Sequence, residues 1–125
     1  MTWVLIGVFG ALGALARYGV SGFVQRWWPT AFPGGTLIVN VTGAFAAGVL
    51  LGAAVGRDVP DLFLAAAAVG FLGGYSTFST WMVESVLAAD SGGRVGLRRA
   101  GENLTIPLIG GVAAVAIGFT IGQWA

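Results

Sequence analysis

The chain has 125 residues, of which 57% are hydrophobic and only 9% are charged. Because about a quarter of the residues in a soluble domain are charged, this composition excludes an ordinary water-soluble domain and predicts an integral membrane protein. A net charge of +1 argues against nucleic-acid binding, and the absence of cysteine and histidine removes disulfides and the commonest metal ligand.

Four apolar segments are each predicted to form a transmembrane helix, at about residues 3–24, 36–55, 62–82 and 104–124. Each holds about 20 residues, which is enough to cross a bilayer core about 30 Å thick. The first is predicted to be a retained helix rather than a cleaved signal peptide, since no Lys or Arg precedes its apolar run. Residues 1–125 are therefore predicted to form a single four-helix domain, with its longest loop at 83–103.

The first segment contains one ionised residue, Arg17, about 10 Å from the predicted end of its helix. An ionised group inside a span indicates a functional role by default. Arg17 could instead extend outward to the interface or bond to loop carbonyls. We favour a structural role for Arg17 over attraction of an anion.

The second segment contains Asn40, an amide placed about one turn into the predicted helix. Its side chain can present two N–H donors to an anion. It can equally make a hydrogen bond to a neighbouring helix. The residue type alone leaves both interpretations open.

Small residues recur at every fourth position of two segments: Ala44, Gly48, Gly52 and Gly56 in the second, and Gly110, Ala114, Gly118 and Gly122 in the fourth. Such a stripe lies along one side of a helix and lets two backbones approach closely. We interpret both stripes as packing seams that carry no chemistry.

The third segment is predicted to be broken near mid-membrane. Gly73 and Gly74 fall close to its centre, and four hydroxyl residues follow within six positions: Ser76, Thr77, Ser79 and Thr80. Each glycine weakens a helix by about 1 kcal/mol relative to alanine, and hydroxyl groups compete for the freed backbone groups. Irregular backbone at this depth is tolerated inside protein or beside a watery cavity, where its carbonyls can hold a cation. Composition leaves a kinked packing helix and an ion site as equal alternatives.

Phe78 and Trp81 share one face of the helix beyond the break, since they lie three positions apart. The edge of an aromatic ring is positive, so this pair could hold an anion. Ordinary packing is the commoner explanation of such a pair.

Acidic residues are absent from the predicted spans, because Glu84 follows the third and Asp58 and Asp61 lie in a loop. A proton-coupled exporter needs an intramembrane carboxylate, so this pattern disfavours that class. No nucleophile has a base beside it in the sequence, which predicts that the chain is not an enzyme.

Three stretches of the chain resemble the Fluc (CrcB) fluoride channels. They are GALGALARY at 10–18, GTLIVNVTG at 35–43 and GFLGGYSTFSTW at 70–81. The third is similar to the family pattern Gly-Phe-x-Gly-Gly-x-Thr-Thr-Phe-Ser-Thr-Phe, and the fourth helix matches in its Gly and Ala pattern. The resemblance covers the whole length in the right order.

The resemblance implies an antiparallel, dual-topology dimer with two fluoride pathways along its interface. It also implies a structural sodium ion at the dimer centre, held by backbone carbonyls of the broken helices. Carried over by position, these carbonyls belong to Gly73 and Ser76.

The fluoride pathway implied by the resemblance includes Asn40 as the pore asparagine. Phe78 and Trp81 fall on the pore-lining pair of phenylalanines, with Ser79 and Thr80 as nearby hydroxyl donors. A pathway of neutral donors in an apolar surround suits passage of a strongly hydrated anion, which must bind well enough to enter and weakly enough to leave.

Two departures from the family pattern concern the third and fourth helices. Trp81 replaces the second phenylalanine and adds an N–H donor, which either alters conduction or marks a subunit whose partner supplies the working pore. In the fourth helix, Asn103 and Pro107 stand where the family often has Tyr and Ser, with Thr105 as a substitute in the polar track.

The sequence therefore predicts a passive fluoride channel, multi-pass in the bacterial plasma membrane, that lets cytoplasmic fluoride leave. One alternative is a subunit of a heterodimeric channel pair, because four Arg residues against one on the two sides of the membrane favour a fixed orientation. Another is a small proton-coupled multidrug exporter, which needs a carboxylate in a first span that contains only Arg17.

Overall fold

The computed structural model describes residues 1–30 and 32–124, and this part of the chain contains helices and no strand. We number the helices in chain order as α1 (Thr2–Trp27), α2 (Gly34–Ala54), α3 (residues 61–75), α4 (Phe78–Asp90) and α5 (Gly93–Trp124). Since α3 and α4 follow each other along one span, these described residues hold four segments long and apolar enough to cross a membrane. The prediction of an all-helical membrane protein with four such segments is confirmed.

The helices extend further than the apolar segments that predicted them. Helix α4 runs to Asp90 and α5 begins at Gly93, so the predicted loop at 83–103 is wrong. Gly92, between the two helices, and Gly93, the first residue of α5, have φ values of 93° and 66°, which glycine adopts without strain. Arg, Leu, Ala and Glu favour a helix even where they are too polar for a bilayer core, so hydropathy underestimates helix length.

Helices α2 and α5 cross at a seam of glycines that leave no room for a Cβ atom: Gly48, Gly52, Gly118 and Gly122. A Cβ at Gly118 would overlap the carbonyl oxygen of Phe45, and one at Gly48 would overlap that of Val115. The two predicted stripes therefore pack against each other within one chain. Gly56 is not part of this seam, because it lies beyond the end of α2 with no atom near its Cβ position.

A second close crossing joins α1 to α3. A Cβ at Gly74 would overlap the carbonyl oxygen of Gly10, and one at Gly13 would overlap that of Phe71. Helix α1 therefore packs closely against α3 immediately before the point where the third segment is interrupted.

Helix α3 is not uniform along its length. An α-helical turn at Asp61–Leu64 leads into a π-helical stretch at Ala65–Leu72, followed by an α-helical turn at Gly73–Tyr75. A π-helix is rare and occurs frequently near functional sites. Nothing in the alanine-rich sequence of this stretch predicted it.

Candidate ion-binding site at the helix break

The third segment is interrupted at Ser76 and Thr77, where the backbone is extended. Their φ and ψ values are −78° and 157° for Ser76, and −146° and 121° for Thr77. Gly73 and Gly74 are helical, so the interruption lies just after the glycine pair, within the stretch 73–81 where a break was predicted. Gly74 is needed for the close approach of α1, and the hydroxyl residues after the glycines carry the break.

Side-chain hydroxyls replace helical hydrogen bonds on both sides of the break. The Ser76 hydroxyl and N–H both donate to the Leu72 carbonyl at 2.9 Å and so finish α3. The Thr77 hydroxyl accepts from the Thr80 N–H at 3.2 Å and so caps the start of α4. Such a cap satisfies one of the donors that a helix leaves free at its N-terminus.

Asn40 binds both main-chain groups of Thr77. Its Nδ2 donates to the Thr77 carbonyl at 2.9 Å, and the Thr77 N–H donates to Oδ1 at 2.8 Å. This pairing satisfies a backbone unit that the helix break leaves without helical partners, in a residue only 8% exposed. The interhelical interpretation of Asn40 is thus confirmed, while its second N–H remains without a partner in the part of the chain that the structure describes.

The carbonyls of Gly73 and Ser76 accept no hydrogen bond from any described residue. In an uninterrupted helix the Thr77 N–H would bind the Gly73 carbonyl, but here Asn40 takes that N–H. Gly73 also lies at the surface of the single chain. Both oxygens are therefore free to bind another group.

An open groove of about 630 Å³ runs beside the break between α2, α3, α4 and α5. Five of the sequence-predicted site residues line it: Asn40, Gly73, Ser76, Phe78 and Trp81. The rest of the lining is largely Ala, Gly, Leu and Val side chains, so the groove is an apolar surface with a few polar groups at one place.

Three other predicted site residues lie outside the lining of this groove. Ser79 and Thr80 are exposed on the first turn of α4, where the Thr80 hydroxyl accepts from Thr77 at 3.0 Å. Arg17 is half-buried on α1 and makes no hydrogen bond or ion pair with any described residue. The structural role favoured for Arg17 stays a prediction.

Phe78 and Trp81 meet edge to face, with ring centroids 5.8 Å apart and planes at 90°. Phe78 is 69% exposed and projects from the wall of the groove. The Trp81 indole N–H, by contrast, donates to the carbonyl of Asn103 in α5. The additional donor that tryptophan brings is therefore bonded inside the protein.

Sequence reasoning missed the position of Asn103, which it placed in a loop. Asn103 is 2% exposed within α5, and its Nδ2 donates to the Ser85 hydroxyl at 2.8 Å. The signal that could have found it is the helix-favouring stretch Leu97-Arg98-Arg99-Ala100, which carries the helix through this region.

Glu84 was also placed outside the helices, yet it lies within α4. Its Oε1 accepts from the Thr36 hydroxyl at 2.7 Å, and its Oε2 is buried without a partner among the described residues. It borders a separate pocket of about 480 Å³ that Gln25 and Arg99 also line. The apolar run Val86-Leu87-Ala88-Ala89 after Glu84 was the sequence signal that the helix continues.

Fold and site together define a multi-pass helical membrane protein with exposed polar groups at a broken span. The chain belongs to the CrcB family, because the model described as "CrcB-like protein, Camphor Resistance (CrcB)" matches residues 4–119. The sequence-based identification of this family is confirmed.

Several relatives are similar over most of the chain. A "Fluoride-specific ion channel FluC 1" of Listeria monocytogenes serotype 4b is 48% identical over 69% of this chain and 70% of its own length. A "Fluoride-specific ion channel FluC 2" of Symbiobacterium thermophilum is 42% identical over 87% of both. One of Mycolicibacterium paratuberculosis, with the same name, is 38% identical over 97% of this chain and 93% of its own. These names are those of ion channels, which fits the expectation that the chain is not an enzyme.

Proposed function

We propose that the chain forms a fluoride-selective channel that releases cytoplasmic fluoride passively down its electrochemical gradient. The observation that carries the proposal is that Asn40, which has one N–H without a partner among the described residues, lines the same apolar groove as Phe78 and Trp81 at a broken span. The names of the relatives support fluoride as the ion.

The chemistry of the groove suits a small anion that binds water strongly. Neutral N–H donors and positive ring edges can replace part of the hydration shell. No charged side chain lines the groove among the described residues, so no fixed cation there would hold the ion too tightly to leave. Fluoride enters a cell as its neutral acid and ionises inside, which supplies the outward drive.

The finer part of the proposal is an antiparallel dimer in which a second copy covers the groove. Support comes from the exposure of Gly73 and Phe78, which leaves one side of the pathway uncovered in the single chain. Irregular backbone at membrane depth needs protein or a cavity around it rather than lipid. A heterodimer with a related subunit is the second candidate, since several relatives carry numbered names.

A structural sodium ion fits the same break. The unpaired carbonyls of Gly73 and Ser76 are neutral oxygen donors of the kind that unwound membrane helices offer to Na⁺. When bound, the ion would supply positive charge between the two breaks of a dimer. Within this chain Asn40 accepts from the Thr77 N–H, and Leu72 accepts from the Ser76 N–H and hydroxyl, so none of these donors binds the two carbonyls.

The decisive experiment is fluoride efflux from liposomes that contain the purified chain, followed with a fluoride electrode and compared with chloride. Rapid efflux selective for fluoride is expected, and Asn40→Ala and Phe78→Ile are expected to slow it. Phe63→Ile is the matched control, because Phe63 is exposed on α3 and does not line the groove. If both site variants matched the control, the pathway assignment would be wrong. Complete absence of wild-type efflux would favour the heterodimer.

A further inference from the structure

Pro107 leaves a backbone carbonyl of α5 without its usual partner. It lies inside the helix, and proline has no N–H to donate to the carbonyl four residues earlier. That carbonyl belongs to Asn103, which is almost fully buried. A buried carbonyl without a hydrogen bond is costly, so this position requires a donor from elsewhere.

Trp81 supplies that donor from α4. Its indole N–H donates to the Asn103 carbonyl, and the Asn103 side chain donates back to the Trp81 carbonyl at 3.4 Å. Ser85, which is 5% exposed, joins the two residues. Its hydroxyl donates to the Trp81 carbonyl at 2.8 Å and accepts from Asn103 Nδ2 at 2.8 Å. We call these four residues, Trp81, Ser85, Asn103 and Pro107, the indole lock.

We propose that the indole lock positions Trp81 in the anion pathway and keeps its N–H away from the anion. Trp81 then offers the groove only carbon-bound ring surface, held perpendicular to Phe78. Asn103 and Pro107 are positioning residues for Trp81, and the lock joins the pathway helix α4 to α5. This role rests on the proposed function, whereas the hydrogen bond itself can be measured without any transport.

Proton exchange at the indole nitrogens tests the hydrogen bond directly. The chain has five tryptophans, of which Trp3, Trp27, Trp28 and Trp124 are between 57% and 85% exposed. In protein labelled with ¹⁵N indole, we expect the Trp81 signal, identified by its loss in Trp81→Phe, to exchange at least about tenfold more slowly than the other four. Exchange of Trp81 as fast as the rest would overturn the proposal.

A titration in which fluoride replaces chloride at constant ionic strength tests whether the Trp81 indole N–H can bind the anion. The Trp81 indole signal should not move in the wild type, because its N–H is already bonded. In Pro107→Ala the new N–H competes for the Asn103 carbonyl, and the Trp81 signal should become sensitive to fluoride. Ile109→Ala, an exposed α5 position outside the groove, is the control and should behave like the wild type. A saturable fluoride shift of Trp81 in the wild type would overturn the proposal.

Efflux in a double-mutant cycle separates a positioning role from a merely structural one. Pro107→Ala should slow fluoride efflux roughly tenfold, since one added hydrogen bond to an ion is worth about that factor. The same change in the Trp81→Phe background should leave the rate of that background unaltered, because no indole N–H is present. Equal slowing in both backgrounds would overturn the proposal. Absence of wild-type efflux would instead favour the heterodimer over a channel formed by this chain alone, and the exchange measurement would still test the hydrogen bond of Trp81.

Discussion

The crossing of α2 with α5 and the break between α3 and α4 use their special residues in opposite ways. At the crossing, Gly48 and Gly118 remove side chains so that carbonyl oxygens and backbone of the other helix fit closely. At the break, Asn40 and Thr77 add polar side chains that replace lost helical hydrogen bonds. In a bilayer, close packing needs small residues, whereas an interrupted backbone needs new partners. The first region therefore holds the fold, and the second is expected to carry the ion.

The largest expected effect comes from filling the crossing. Gly118→Val should lower the free energy of unfolding by about 3 kcal/mol or more, because the added atoms overlap the Phe45 carbonyl in a tightly packed seam. Efflux should be lost together with the fold. The measurement is thermal unfolding of the purified protein in detergent, with Gly101→Val as the control, since Gly101 has open space around its Cβ position. Equal loss of stability in both variants would show that the crossing is not special.

Asn40→Ala should show that a change at the break lowers fluoride efflux by more than its effect on stability explains, unlike a change at the crossing. It removes two hydrogen bonds to the Thr77 backbone and should cost about 2 kcal/mol of stability. Its fluoride efflux should fall by a larger factor than that of a variant in the α2–α5 glycine crossing with the same loss of stability. The reason is that Asn40→Ala also removes the N–H that is free to bind an anion. Thr120→Val, which removes an exposed hydroxyl bond within α5, serves as the control. Efflux that merely follows the folded fraction would contradict a pathway role for Asn40.

Thr77→Val tests the helix cap on its own. The Thr80 N–H loses its acceptor, which should cost about 1 kcal/mol. The pairing of the Thr77 backbone with Asn40 does not need the hydroxyl, so fluoride selectivity over chloride should be kept. Thr77→Ser retains the oxygen and should be close to the wild type in thermal unfolding. The role of the cap is contradicted if the two variants unfold alike.

Arg98→Ala should give the smallest effect. Arg98 pairs with Glu102 at 3.2 Å, but the two side chains are 77% and 42% exposed. An ion pair so well solvated is worth less than about 0.5 kcal/mol. Neither thermal unfolding nor efflux should change measurably, which sets the baseline for the other three variants. A clear loss of stability would mean that this end of α5 has a partner beyond the single chain.

Local patterns predicted much of the fold. Hydropathy identified four apolar segments, and a repeat of small residues identified both halves of the crossing, including Gly48 and Gly118. Both signals are short in range, because burial in lipid and helical periodicity act on neighbours along the chain. The motif around Asn40 and Phe78 identified the family for the same reason.

Partners distant in sequence could not be predicted in this way. Thr77 lies 37 residues from Asn40, and Asn103 lies 22 residues from Trp81. The sequence showed that Trp81 adds a donor and that Asn103 and Pro107 depart from the family pattern. It did not show that these three departures lie together, with the proline freeing the carbonyl that the indole binds.

By itself, the sequence determined that this chain is a helical membrane protein of the CrcB type, because composition and short motifs act locally. Only the tertiary structure decided where the third span breaks and which groups stay free there. Gly74 packs against α1 and remained helical together with Gly73. Ser76 and Thr77 are extended, with Leu72 binding the N–H and hydroxyl of Ser76, and Asn40 and Thr80 binding the polar groups of Thr77. The hydrogen bond from Thr77 to Asn40 on another helix left the carbonyl of Gly73 open, and the helix cap between Thr77 and Thr80 left that of Ser76 open.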